Sequence, residues 1–192
     1  MNKILNFIKK HDNLIALIVI AIVVALSSIY IYEPYDQLYV FGNAYKLSKG
    51  KVIYKDVNSI ITPIFYMICK IIFEIFGSNY FVFNLINILI GISIYFTIYE
   101  IQKALKIDKL YSAFNTLIIF TISVTSVTAL ANYNTLSLEF MLLGLLYTIK
   151  NYENRPKKYE FIQSIFVTLT ILTDQKIGVR LYNRIYSIRE KN

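Results

Sequence analysis

The chain has 192 residues, of which 56% are hydrophobic, and its formal net charge is +8. This apolar content is higher than in ordinary soluble domains and indicates a membrane protein. The lysines and arginines are spread through the predicted loops and form no basic tract, which argues against nucleic acid as a partner. The single cysteine, Cys69, excludes an internal disulfide, and we interpret it as a small core residue.

The first predicted element is a membrane-spanning helix at residues 14–32. Its apolar run matches the roughly 20 residues that cross the hydrocarbon layer of a bilayer. Lysines before it and tyrosines after it place the N-terminus in the cytoplasm. A cleaved signal peptide with a small-residue site at Ala25 and Ser27 is the alternative, but its apolar region would be shorter, about 7–15 residues. We therefore predict an uncleaved helix.

Residues 33–77 form a long outer loop in which apolar residues occur throughout, between the polar and charged ones. Residues 36–47 carry apolar and aromatic side chains at helical spacing, which predicts an amphipathic helix in the membrane interface, with Gly50 as its C-terminal cap. Residues 60–76 could be a span by hydropathy alone. However, Lys70 and Glu74 lie four residues apart and can pair on one helix face, and charges at bilayer depth are costly. We predict a second interfacial helix.

The remaining chain predicts four further spans; the connections at residues 100–109 and 151–158 are basic and belong on the cytoplasmic side, and residues 132–134 form a short polar turn on the outer side. If residues 60–76 crossed the membrane, both basic loops would fall outside, which supports the interfacial interpretation. The basic tail at residues 179–192 does not resemble a membrane helix. The sequence thus predicts an all-α membrane protein, with later spans at residues 81–99, 110–131, 135–150 and 160–173.

Several short motifs occur in an order that is similar to one enzyme family. They are Tyr35-Asp36-Gln37, the segment 50–56, Thr62-Pro63, Phe76-Gly77, the segment 132–137 and the segment 173–178. In this order the chain resembles membrane glycosyltransferases of the GT-C fold, the relatives of protein O-mannosyltransferases and of aminoarabinose lipid A transferases. The resemblance covers residues 14–178 and implies the N-terminal transmembrane bundle of that fold, with amphipathic juxtamembrane helices in the first outer loop.

The resemblance also implies an activity. Such enzymes transfer a sugar from a polyprenyl phosphate to an acceptor outside the cytoplasmic membrane, with inversion at the anomeric carbon. By position Asp36 is the catalytic base and Asp56 is the second loop acid. Gln37 stands where the family usually has Glu, which weakens a metal-binding role at this place. No cofactor is expected, and a divalent metal is compatible with the family but not indicated by these residues.

Other polar residues are candidates for substrate binding. Glycosyl transfer from a lipid phosphate needs cations near the departing phosphate. Candidates for the phosphate and for the cavity mouth are Lys51, Lys55, Lys70, Asn132 and Asn134. Ordinary structural roles remain open for all of them: solvated loop lysines, a capping turn at the asparagines, and helix-dipole or turn roles for Asp36 and Asp56. For Glu139 the choice between a functional role and pairing inside the bundle stays open.

The family's enzymes usually have several hundred residues, so a truncated or frameshifted copy that is inactive alone is one expectation. An inactive remnant or an accessory membrane protein is the alternative, and a transporter fragment is a third. The sequence leaves open the sugar, the acceptor and the oligomeric state.

Overall fold

The structure, a computed structural model, describes residues 18, 22, 34–59, 61–123, 133–154, 157–176, 178–180 and 182–183. Within these ranges, the side chains of residues 34–37, 109–110, 121–123 and 153–154 are not described. The predicted first span at residues 14–32 therefore lies outside the described residues, apart from Ile18 and Ile22. Most of the tail at residues 179–192 also lies outside them.

The described chain is all-helical, as the sequence predicts. Its ranges contain no strand and only one isolated bridge, between Ile53 and Val57. The helices, in chain order, are α1 (Pro34–Ser48), α2 (Ile64–Phe76), α3 (Tyr80–Ala104), α4 (Lys109–Ser123), α5 (Tyr133–Asn154) and α6 (Lys157–Thr173).

Helix α3 is the one described helix that is long and apolar enough to cross a membrane. Its 25 residues extend about 38 Å, more than the roughly 30 Å of a hydrocarbon core. The helix begins where the Asn79 side chain accepts a hydrogen bond from the backbone N–H of Val82, at 2.9 Å. The predicted span 81–99 lies within α3. The spans predicted at 110–131, 135–150 and 160–173 overlap α4, α5 and α6, and their crossing stays a prediction.

Helix α5 packs between α3 and α6, and α3 also contacts α4. Aromatic side chains hold α5 against α6: the Phe166 ring lies 6.3 Å from the Phe140 ring and 5.9 Å from the Tyr147 ring, between centroids. Aromatic pairs at such distances stabilise the packing of two helices by more than the burial of their apolar area alone. One face of α5 is thereby committed to α6, and another is free to contact α3.

Helices α1 and α2 pack together against the first turns of α3. The Phe41 ring of α1 lies 5.6 Å from the rings of Phe73 and Phe83. Gly50 ends the turn after α1 with a φ of 83°, a conformation that glycine adopts without steric cost. The predicted helix 36–47 lies within α1, and its buried face is Val40, Ala44 and Leu47.

Helix α2 buries one face and exposes another apolar one. Phe65, Tyr66, Cys69 and Phe73 are buried, whereas Met67, Ile71 and Ile75, four residues apart, are more than half exposed. The predicted pair is present, with Lys70 Nζ 2.8 Å from Glu74 Oε1. An exposed apolar stripe beside charged side chains is typical of a helix in the membrane interface.

Candidate functional site

A polar cavity of about 430 Å³ lies where α5 begins and α6 ends. Three segments that are far apart in the sequence line it: the loop before α2, the first residue of α5 and the residues that follow α6. The lining residues are Tyr54, Ser59, Ile61, Thr62, Tyr133, Thr173, Asp174, Gln175 and Lys176. The cavity therefore brings together hydroxyl, phenol, amide, carboxylate and ammonium groups.

The loop before α2 is shaped by a tight turn at residues 52–57. Asp56 Oδ2 accepts a hydrogen bond from the Val52 backbone N–H at 2.9 Å, and the Tyr54 N–H donates to the Val57 carbonyl at 2.9 Å. Tyr54 has a φ of 65°, which is uncommon for a residue with a β-carbon. This turn directs Tyr54 to the cavity, and its hydroxyl lies 3.4 Å from the Ile61 carbonyl.

A hydrogen bond joins this loop to the end of α6. The Thr62 hydroxyl donates to the Thr173 carbonyl at 2.5 Å, across 111 positions of sequence. The last carbonyls of a helix lack partners within the helix and must find them elsewhere. Thr62 satisfies one of these carbonyls and, in doing so, closes one wall of the cavity.

After α6 the chain turns at Asp174 into a further helical stretch, with residues 175–176 and 178–180 helical, and it presents both charges of the cavity. Asp174 Oδ1 accepts from the Lys176 backbone N–H at 2.9 Å, and the Gly178 N–H donates to the Asp174 carbonyl at 2.9 Å. A β-carbon at Gly178 would overlap the backbone of Ile171, so only glycine fits this return against α6. The turn leaves the Lys176 side chain exposed at the cavity.

Two hydroxyl groups lie beneath the loop. Ser59 is buried, and its hydroxyl donates to the Ile61 carbonyl at 3.0 Å and accepts from the Ile61 N–H at 3.2 Å. The Tyr66 hydroxyl lies 3.5 Å from Ser59 Oγ. Burial raises the pKa of Tyr66, so its phenol stays neutral at physiological pH. The cavity lining at Ser59 is therefore polar but uncharged.

None of the predicted site residues whose side chains the structure describes is among the residues that line this cavity. Asp36 lies in the first turn of α1, but its side chain is not described, and Asn132 lies outside the described residues. Asn134 is half-buried, next to Tyr133. The remaining four do not line the cavity: Asp56 closes the turn, Lys70 pairs with Glu74, and Lys51 and Lys55 are exposed.

None of the nine lining residues was predicted as a site residue, including the four with a phenol or a charged side chain, Tyr54, Tyr133, Asp174 and Lys176. Each of these four lies in one of the motifs that carry the family resemblance, in the segments 50–56, 132–137 and 173–178. Their position in these motifs was the signal from which they could have been predicted as site residues. The contact among the three segments could not be derived from their spacing in the chain.

Comparison with known proteins identifies a family. The sequence profile described as dolichyl-phosphate-mannose-protein mannosyltransferase matches residues 61–186. The match includes α2 to α6 and, apart from Tyr54 and Ser59, every residue that lines the cavity. No curated protein and no solved structure matches the chain.

Proposed function

Because the chain belongs to the dolichyl-phosphate-mannose-protein mannosyltransferase family, a family of membrane glycosyltransferases of the GT-C type, we propose a specific transfer reaction. The donor is a sugar on a polyprenyl phosphate, and the acceptor lies outside the cytoplasmic membrane. One observation supports this proposal most: three segments of the family resemblance meet in one polar cavity.

The lining chemistry suits a sugar phosphate. Sugar hydroxyls both donate and accept hydrogen bonds, which the phenols of Tyr54 and Tyr133 and the amide of Gln175 can match. The Lys176 ammonium is the cation among the lining residues, and lysine binds phosphate as a compact point charge. We assign the sugar to the hydroxyl-rich wall and the phosphate to Lys176.

The position of Asp36 fits the role of catalytic base that the resemblance implies. Tyr39, one turn further along α1, donates its hydroxyl to the Asn58 carbonyl at 3.3 Å. Asn58 directly precedes Ser59, which lines the cavity. Helix α1 is therefore tied at Tyr39 to the loop that forms the cavity wall, one turn after Asp36.

In the proposed reaction the acceptor hydroxyl oxygen attacks the anomeric carbon and the bond from that carbon to the phosphate oxygen breaks. Asp36 removes the hydroxyl proton as the new glycosidic bond forms. The electron pair of the broken bond stays on the polyprenyl phosphate, where Lys176 stabilises the developing charge. Attack on the face opposite the phosphate inverts the anomeric configuration.

We further propose that the N-terminus is cytoplasmic and that residues 33–77 lie outside. Cysteines introduced at Ser48 and at Ser78 are then expected to react with a membrane-impermeant thiol reagent in intact cells. Native Cys69 is buried, and burial raises its pKa to about 12, so it reacts slowly. Labelling at position 48 but not at position 78 would show that α2 crosses the membrane.

The proposed donor class can be tested on the purified chain in lipid nanodiscs. We expect saturable binding of a fluorescent polyprenyl-phosphate sugar, and competition by unlabelled lipid donor but not by a nucleotide sugar. The unglycosylated polyprenyl alcohol is the matched control, since it has the tail without the phosphate and the sugar. Equal competition by that alcohol, or preferential binding of the nucleotide sugar, would contradict the proposal.

A further inference from the structure

Glu139 of α5 carries a carboxyl group that is buried inside the helix bundle and is not among the residues that line the cavity. Its side chain is 3% exposed. Oε1 accepts hydrogen bonds from two hydroxyls of α3: Ser93 Oγ at 2.5 Å and Thr97 Oγ1 at 2.9 Å. Oε2 has no hydrogen-bond partner among the described residues. A buried polar atom left without a partner is costly, so packing stability alone does not account for glutamate here.

The hydroxyls of Ser93 and Thr97 donate to a side chain of another helix and not to a carbonyl of their own helix. In α5 and α6, by contrast, Thr148, Ser164, Thr168, Thr170 and Thr173 each donate to a carbonyl four residues earlier in their own helix. Ser93 and Thr97 instead donate across to Glu139, one helical turn apart on the same face of α3. The three side chains therefore connect two helices at one height and oppose sliding of α5 along α3.

Helix α5 carries Tyr133 to the cavity as its first residue. Glu139 lies six residues further along, which is about 9 Å deeper in the helix. Because the Phe166 ring of α6 holds a neighbouring face of α5 through Phe140 and Tyr147, a shift of α5 against α3 would move the whole α5–α6 pair. Both the Tyr133 wall and the 173–176 wall of the cavity would then move relative to the loop before α2.

We propose that Glu139 is a positioning residue: its bonds to Ser93 and Thr97 fix the register of α5 on α3 and so set the width of the cavity. The expected effect on sugar transfer rests on the proposed function, whereas the expected effect on the register of α5 does not. The Glu139 oxygen acts here as a hydrogen-bond acceptor. We therefore expect Glu139→Gln to keep the register of α5 on α3 and Glu139→Leu to lose it.

A second link between the same helices provides a matched control. At the far end of α3, Glu100 Oε2 lies 3.8 Å from Lys150 Nζ of α5, and Glu100 is partly exposed. Glu100→Leu removes a glutamate that joins α3 to α5, as Glu139→Leu does, but away from the cavity. Ser93→Ala combined with Thr97→Val removes the Glu139 bonds from the other side and covers the case in which Glu139→Leu does not fold.

The test measures spin-label distances in nanodiscs between residues 81 and 134 near the cavity, and between residues 104 and 152 at the other end. We expect Glu139→Leu and the Ser93/Thr97 variant to broaden or shift the 81–134 distance only, Glu139→Gln to preserve it, and Glu100→Leu to affect the 104–152 pair only. In unlabelled chains, Glu139→Leu should lower transfer about tenfold to a hundredfold, mainly through a raised KM.

An unchanged 81–134 distance in Glu139→Leu would overturn the proposal, and so would a Glu139→Gln variant that behaves like Glu139→Leu. If no variant, including the wild type, transfers sugar, the proposed function fails while the distances still decide the positioning role. If the distances change as expected and the transfer rate does not, Glu139 holds α5 in register but the width of the cavity does not limit the reaction. That result would overturn the proposed effect of Glu139 on transfer.

Discussion

Lys176→Met is expected to lower sugar transfer about 100- to 1,000-fold, the effect typical of removing one group that stabilises transition-state charge. Lys176 is the cation among the residues that line the cavity, and charge develops on the polyprenyl phosphate as the bond to the sugar breaks. Methionine keeps most of the length of the unbranched side chain and removes the ammonium. The loss should appear mainly in kcat, because the added charge on the phosphate exists in the transition state.

Lys157→Met is the matched control for this experiment. Lys157 is also exposed, but it is the first residue of α6 and lies at the opposite end of that helix from the cavity. We expect Lys157→Met to transfer sugar at the wild-type rate. Equal losses in the two variants would show that net positive charge at the membrane surface matters and that Lys176 has no specific role.

Asp36→Asn is expected to lower transfer about 100- to 10,000-fold, the range for loss of a general base. Asparagine has nearly the same shape but cannot take the proton of the acceptor hydroxyl. Donor binding should be unchanged, because the base acts on the acceptor and not on the lipid phosphate. The measurement is kcat for transfer together with the Kd for donor, each in nanodiscs.

Asp56→Asn distinguishes the two carboxylates of the outer loop. The Asp56 carboxylate is exposed and accepts the Val52 N–H, a bond that an asparagine oxygen can also accept. We expect Asp56→Asn to retain most of the transfer activity and Asp56→Ala to lose the turn that places Tyr54. A large loss in Asp56→Asn with little loss in Asp36→Asn would reverse the assignment of the base.

Features that depend on neighbours in the chain were predictable from the sequence. The Lys70–Glu74 pair follows from a spacing of four on one helix face, and the turn at Gly50 follows from the freedom of glycine at positive φ. Helix α3 was predictable because a long uncharged run favours both a helix and burial in lipid.

Features that depend on helix packing were not predictable. Thr62 meets Thr173 only because α2, α5 and α6 pack at the same end of the bundle, and no local pattern records that contact. For the same reason Lys51 and Lys55, close to Asp56 in the chain, were better candidates by sequence than Lys176. Glu139 was recognisable as a buried acid, but its partners on α3 became identifiable only from the structure.

The central claim is that the polar cavity holds the head of a lipid-linked sugar donor. The most direct measurement is the rate at which a soluble thiol reagent modifies a cysteine at Gln175, which lines the cavity, and a cysteine at Ser78, which does not. We predict that a polyprenyl-phosphate sugar slows modification at position 175, with a saturable dependence on donor concentration, and leaves position 78 unaffected. Equal rates at position 175 with and without saturating donor would contradict the claim.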